Sequence, residues 1–179
     1  GGSRPTNPPR TLCLVPQHFD QRRSIQLIPM RLLLQRVQHA QVHIDGQSHA
    51  SIGPGLLALL GIAPEDTRED IHYLVGKMLR LRIFGDDQGR MNLSVQDIQG
   101  ECLVVSQFTL MADTAKGNRP GYSKAAAPAI AEPLYQEFLA ACSEAWPGRI
   151  RAGVFGADMQ ITLLIDGPVS ICMDSQYRS

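Results

Sequence analysis

Ser106, Gln107 and Thr109 are the side chains that packing alone explains least. They follow the apolar run Leu103-Val104-Val105 and alternate with Phe108 and Leu110, which predicts a buried strand continuing to Leu110. Hydroxyls and an amide set into such a strand cost free energy unless they are hydrogen-bonded or act on a ligand. Downstream, Lys116-Gly117-Asn118-Arg119-Pro120 is a cationic loop punctuated by Gly and Pro. A strand that delivers small polar groups beside a cationic loop can hold a phosphate-bearing substrate.

Ser106 and Thr109 are candidate nucleophiles. However, no G-x-S-x-G elbow surrounds Ser106, and spacing implies no His or Asp partner for either residue. A hydrogen-bonded hydroxyl is therefore the preferred reading over covalent catalysis. Gln107 could orient a substrate or tie two strands together. His39, His43 and His49 fall in one hairpin, on the face opposite Ala40, Val42 and Ile44. That placement points to solvent, and no metal site is expected. Phe155-Gly156-Ala157-Asp158-Met159 is a tight turn that could wall a pocket or belong to plain core. Gly167-Pro168 could be a hairpin turn or a cis peptide bond.

The chain has 179 residues, enough for one domain with a core, and 44% of them are hydrophobic. Lys+Arg and Asp+Glu are equal at 17 each, so any nucleic-acid contact must come from a local patch. Cys13, Cys102, Cys142 and Cys172 show no CxxC spacing. Cys102 and Cys172 lie in apolar strand-like runs, where a buried thiol is expected. That usage suits a reducing compartment, and a cytoplasmic location is expected. No apolar run has the length of a membrane span.

Residues 1–29 read as a leader outside the fold: Gly1-Gly2-Ser3 resembles a cloning scar, and five prolines interrupt any pattern. Leu12–Val15 could form a short adhesive segment, and the scarcity of acidic residues would fit a targeting peptide, but a disordered leader is the preferred reading. The single domain is expected over residues 30–175, with a tail at 176–179. Arg31–Val37 and His39–Ile44 read as strands, and Asp45-Gly46 signals a type I′ hairpin. Leu56–Ile62 is a continuous apolar strand after the turn at Gly53–Gly55. Asp66 or Thr67 is the expected N-cap of a helix whose stripe is Ile71, Leu74, Val75, Met78 and Leu79. Ala125–Pro128 leads into a second helix, with Ile130, Leu134, Tyr135, Phe138, Leu139 and Cys142 as its buried face. Pro133 fits there only near the first turn. Arg151–Phe155, Met159–Ile165 and Val169–Met173 read as strands. The expected class is α/β, with β-rich mixed sheets in layers and two main helices.

Taken in order, the motifs carry a resemblance. SQFTL at Ser106–Leu110, KGNRP at Lys116–Pro120, FGADM at Phe155–Met159 and DGPVS at Asp166–Ser170 resemble the D-aminoacyl-tRNA deacylase family. Met30–Val37, GPGLL at Gly53–Leu57, RIF at Arg82–Phe84 and MNLS at Met91–Ser94 fit in the same order. The resemblance covers Met30 to about Ser175. It implies a homodimer that hydrolyses the ester between a D-amino acid, or glycine, and the 3′-terminal adenosine of tRNA, without a cofactor or a membrane. It places Ser106, Gln107, Phe108 and Thr109 at the adenosine and ester pocket. Gly167 and Pro168 match a Gly-cis-Pro element that enters the partner subunit's pocket, and Arg36 matches an arginine that holds it. Phe155 and Met159 match pocket walls, while Lys116, Asn118 and Arg119 become candidates for tRNA phosphate. Gly121-Tyr122-Ser123 and Asp166 depart from the usual pattern. Two further readings predict different behaviour: a non-catalytic RNA-end or nucleotide-binding module, and a Ser106-dependent hydrolase of small esters.

Overall fold

Strand β1 (Arg31–Ile44) organises the sheet. The two segments expected over this stretch form one strand of 14 residues. The computed structural model describes residues 29–176. Apart from Pro29 and Gln176, the expected leader (with Cys13 and Leu12–Val15) and tail lie outside the described residues.

Asp45 and Gly46 both take positive φ, 51° and 74°, as a type I′ turn requires. They reverse the chain into β2 (Gln47–Ile52), which continues past Gly53-Pro54 as β3 (Gly55–Gly61). β2 pairs antiparallel with Ala40–Ile44 and β3 with Arg31–Val37, so the two form one returning ribbon on the same edge of β1. On the other edge, β8 (Gln160–Asp174) runs antiparallel along Arg31–His43. β6 (Glu101–Ser106) pairs parallel with β3, and β7 (Ile150–Ala152) pairs parallel with β6. β4 (Phe84–Gly85) and β5 (Met91–Leu93) form a separate small ladder. The mixed sheet curls enough to bring β2 against β6 and β7 without pairing to them.

Period-two alternation divides the apolar residues between two cores. Leu56, Ala58 and Leu60 of β3, with Cys102 and Val104 of β6, face the helices. Leu57, Leu103 and Val105 face away, into a second cluster with Val37, Ala40, Val42 and Ile52. In β1, Leu32 and Leu34 point to the helices, yet Ala40 and Val42, of the same parity, lie in the second cluster. An extra residue changes the face: between Val37 and His39 the partner on β8 moves only from Ile165 to Leu164.

Helix α1 (Arg68–Arg80) begins after Thr67, and the Asp70 carboxylate accepts the Thr67 N–H and hydroxyl, each at 2.8 Å. Ile71, Leu74, Val75, Met78 and Leu79 are all buried, each worth about 1.5–3 kcal/mol relative to exposure. Asp66, the other candidate cap, instead accepts the N–H groups of Met30 (2.8 Å) and Ala63 (2.6 Å). Burial outweighs those donations and raises its carboxyl to about 6. Helix α2 (Pro128–Ala145) buries Ala131, Tyr135, Phe138 and Cys142. Ile130, expected on that face, is exposed, because the inward register passes through Ala131. Pro133 lies inside the helix with Ala129, the residue whose carbonyl it leaves unbonded, also exposed to water.

Three other expectations are corrected. The strand does not continue to Leu110: β6 ends at Ser106 and residues Phe108–Met111 form a 3₁₀ turn. The two late strands, expected over Met159–Ile165 and Val169–Met173, are one strand, and Asp166-Gly167-Pro168 is not a hairpin. Cys172 is exposed, not buried. Side chains alternate between the two faces of β8, and Cys172 falls at one of its exposed positions. Cys102 and Cys142 are buried free thiols, and burial pushes both up in pKa.

Candidate active site

The turn after β6 is set by where its parallel partner runs out. The Gln107 N–H donates to Leu60 O at 2.7 Å, beyond the last Cα pair, Leu60 with Ser106. The chain then tightens, with the Leu110 N–H donating to Gln107 O at 3.2 Å and Ala112 N–H to Thr109 O at 3.1 Å. Gly61 permits this: a Cβ there would stand 2.9 Å from Leu110 Cβ and 3.0 Å from Met111 Sδ. Arg31 Nη1 donates to Leu110 O at 2.9 Å and holds the turn from β1. The N–H groups of Phe108 and Thr109 precede the first intrahelical bond, so they have no acceptor within the turn. Gln107 Nε2 donates to Thr109 Oγ1 at 2.5 Å.

Ser106, Gln107 and Phe108 line a cavity of about 660 Å³ together with Phe155 and Met159. That volume is in the range of small-molecule sites. Its opposite wall is Ala125-Ala126-Ala127-Pro128 at the start of α2, tied to the end of β3 by the Ala126 N–H donating to Ile62 O at 2.9 Å. Tyr122 and Ile161 also line it. The alanine run and Tyr122 were not singled out from sequence as pocket residues. Three alanines just before a helix, shortly after the cationic loop in sequence, were the available signal. Among the described residues, no carboxylate, imidazole, amine, guanidinium or thiol lines this cavity. Beside it, Tyr135 Oη lies 3.0 Å from Val104 O and 3.2 Å from Gly153 O, tying the end of β6 to the chain leaving β7. Burial pushes the Tyr135 phenol up in pKa. Thr109 is exposed on the turn and is not part of the cavity wall.

A second feature lies elsewhere on the same chain. From Gln35 to Val37, β1 advances two residues while its partner on β8 moves five, from Ser170 to Ile165. Asp166, Gly167 and Pro168 are therefore extruded from the ladder as a bulge. The Gly167–Pro168 peptide is cis. Gly167 has φ +122°, and a Cβ there would meet Val169 Cγ2 at 2.9 Å and Arg36 Nη2 at 3.0 Å. Arg36 grips the base of the bulge: its Nε lies 3.2 Å from Asp166 O and 2.9 Å from Asp166 Oδ2, and its Nη1 donates to Ile83 O at 2.5 Å. Gln38 Nε2 donates to Asp166 Oδ1 at 3.4 Å. Gly167 and Pro168 are exposed. Ile161, the β8 residue in the cavity wall, is six residues from Gly167, or about 20 Å along an extended strand. None of Asp166, Gly167 and Pro168 lines the cavity of its own chain.

Lys116, Asn118 and Arg119 are exposed on a loop closed by the paired backbone groups of Asp113 and Gly121, at 2.7 and 2.9 Å. Lys124 pairs with Asp113 at 2.9 Å. The backbone donation from Ala115, then Lys124, hold the Asp113 carboxyl below its usual range. His39 and His49 are exposed and His43 is half-buried. No set of three or more His, Cys, Asp or Glu is placed to hold a metal among the described residues. No described helix is long and apolar enough to cross a membrane.

Comparison with known proteins adds a separate line of observation. A family model described as D-Tyr-tRNA(Tyr) deacylase matches residues 33–174. A protein of Flavobacterium johnsoniae named D-aminoacyl-tRNA deacylase is 52% identical over 149 residues, covering 83% of this chain and 99% of its own. One of the same name from Bacteroides thetaiotaomicron is 54% identical with the same coverage. Among solved structures, the c-Myc DNA unwinding element binding protein superposes with a TM-score of 0.77 at 40% identity, covering 80% of this chain and 97% of its own. A probable eukaryotic D-amino acid tRNA deacylase, at 17% identity, shares the fold with a TM-score of 0.72, covering 82% of this chain and 100% of its own.

Proposed function

This chain belongs to the D-Tyr-tRNA(Tyr) deacylase family, and on that premise we propose that it hydrolyses the ester linking a D-amino acid, or glycine, to the 3′-terminal adenosine of tRNA. The observation that carries the chemistry is a cavity that no acidic, basic or thiol side chain lines among the described residues. An aminoacyl ester is already activated, so it needs positioning and charge stabilisation more than a strong base. Water adds to the ester carbonyl, and the N–H groups of Phe108 and Thr109 donate to the oxyanion that develops. The hydroxyl beside the ester on the adenosine ribose assists the attacking water, and the 3′ oxygen leaves with a proton. Ser106 and Gln107 bind and orient the nucleoside, Phe155 and Met159 wall it, and Thr109 is polarised by Gln107.

Selection between mirror images is assigned to the Gly167-Pro168 bulge of a second copy in a homodimer. The separation of about 20 Å along β8 argues against service to its own cavity. A main-chain wall held by Arg36 would clash with an L side chain, while a D side chain or glycine points elsewhere. Rejection by exclusion needs no grip on the accepted side chain, so many D-residues are accepted. Lys116, Asn118 and Arg119 contact tRNA phosphate. The test is deacylation of matched D-tyrosyl-, L-tyrosyl- and glycyl-tRNA, with sedimentation to give the oligomeric state. Release of the D and glycyl groups with L spared, by a dimer, is the expected result. Binding without turnover would overturn the deacylase reading, and a covalent adduct on Ser106 would overturn the mechanism.

A further inference from the structure

Two aromatic rings at the rim of the cavity are more exposed than packing would leave them. Phe108 is 58% exposed and Tyr122 is 40% exposed. Their centroids are 5.0 Å apart with planes at 69°, an edge-to-face pair. Such a pair holds each ring in place while leaving an aromatic face open. Neither ring sits on a random stretch of surface. Phe108 begins the 3₁₀ turn whose leading N–H groups have no acceptor within the turn. Tyr122 directly follows Gly121, whose paired backbone bonds to Asp113 close the loop carrying Lys116 and Arg119. Both rings line the cavity, and Tyr122 follows closely in sequence on the loop that carries the exposed Lys116 and Arg119.

Exposed aromatic faces next to cationic loops are how proteins hold single-stranded nucleic acid without reading its sequence. The inner wall of the cavity is alanine-rich and apolar, and on the tRNA-ester reading it takes the terminal nucleoside with its ester. A strand leaving that cavity passes the rim next. We propose that Phe108 and Tyr122 form a stacking platform for the base of the nucleotide that precedes the terminal adenosine, with Lys116 and Arg119 meeting its phosphates. This rests on the tRNA-ester reading and assigns a subsite to it. A stacked base is sequence-tolerant, which suits an enzyme that must act on the common end of many tRNAs.

The test compares two substrates of different length, D-tyrosyl-tRNA and the D-tyrosyl ester of adenosine, on wild type, Tyr122→Ala and Tyr122→Phe. Loss of one stacking contact raises KM for the tRNA about 5- to 100-fold in Tyr122→Ala, with kcat changed less. The rise on the adenosine ester is at least fivefold smaller, and Tyr122→Phe restores the tRNA KM. A rise of equal size on both substrates overturns the platform and assigns Tyr122 to the terminal nucleoside. No rise on the tRNA overturns it as well, and so does a loss that Tyr122→Phe fails to rescue. A wild type inert toward both substrates would sink the deacylase reading itself, an outcome distinct from all the others.

Discussion

Arg36→Met tests whether the bulge on β8 is held by one side chain. Methionine keeps most of the apolar stem and removes the guanidinium. The donation to Ile83 O at 2.5 Å is lost, and Ile83 is 6% exposed, so its carbonyl loses a charged donor where water has little access. A bond of that kind is worth about 1.5–3 kcal/mol. The pair with Asp166 is weaker, because the Asp166 side chain is 38% exposed and water replaces much of it, leaving about 0.5–1 kcal/mol. The cation 6.0 Å above the Phe84 ring adds about 0.5–1 kcal/mol. These contacts share one group and do not add fully, so the expected loss is about 2–4 kcal/mol. Urea unfolding should show a lower midpoint at unchanged slope. Arg36→Lys should recover little, since an ammonium cannot reach Ile83 O and Asp166 in the same geometry. In deacylation assays the Arg36→Met variant should hydrolyse L-tyrosyl-tRNA relatively faster, because the bulge loses the guanidinium that holds Asp166. An unchanged midpoint would refute the energetic argument. A lower midpoint with the D/L ratio intact would refute the link between Arg36 and selection.

Gly167→Ala places a methyl at φ +122° and 3.0 Å from Arg36 Nη2, so it should lower the D/L ratio of deacylation rates while leaving most of the fold intact. Ser106→Ala should keep at least about a tenth of kcat/KM; a fall beyond about a thousandfold would mark Ser106 as a nucleophile. Asp66 titrates near 6 in the folded chain against 3.8 unfolded, because burial disfavours its charge. The folded state therefore binds that proton more tightly, and the stability Asp66 contributes is full below about pH 4 and lost as pH rises through 6. Asp66→Asn should remove that component from the pH dependence of unfolding, and an unaltered profile would contradict the assignment. Tyr135→Phe removes the hydroxyl between Val104 O and Gly153 O and should cost about 1–2 kcal/mol by denaturant unfolding.

Much of this protein was legible in its sequence because the relevant rules are local. Thr67 and Asp70 mark the start of α1, and Asp45-Gly46 marks a turn that needs two positive φ angles. The apolar runs of β3 and β6 report burial on both faces. The ordered motifs named the family before any geometry was known. What was missed depended on a partner strand. Ser106–Leu110 alternates like a strand, yet β6 stops where β3 ends at Gly61 and lets the chain fold over it. Asp166-Gly167-Pro168 carries the composition of a hairpin turn. Pairing with β1 on both sides makes it a bulge inside one strand. Cys172 sits in an apolar run, but its position in the alternation of β8 places it on an exposed face. The Ala125–Pro128 wall has no chemical signature of its own and becomes part of a site when Ala126 bonds to Ile62. Backbone preference and periodicity act over a few residues and are written in the chain. Where a strand ends, which face a side chain takes and what closes a cavity depend on residues dozens of positions away, so the tertiary structure alone decided them.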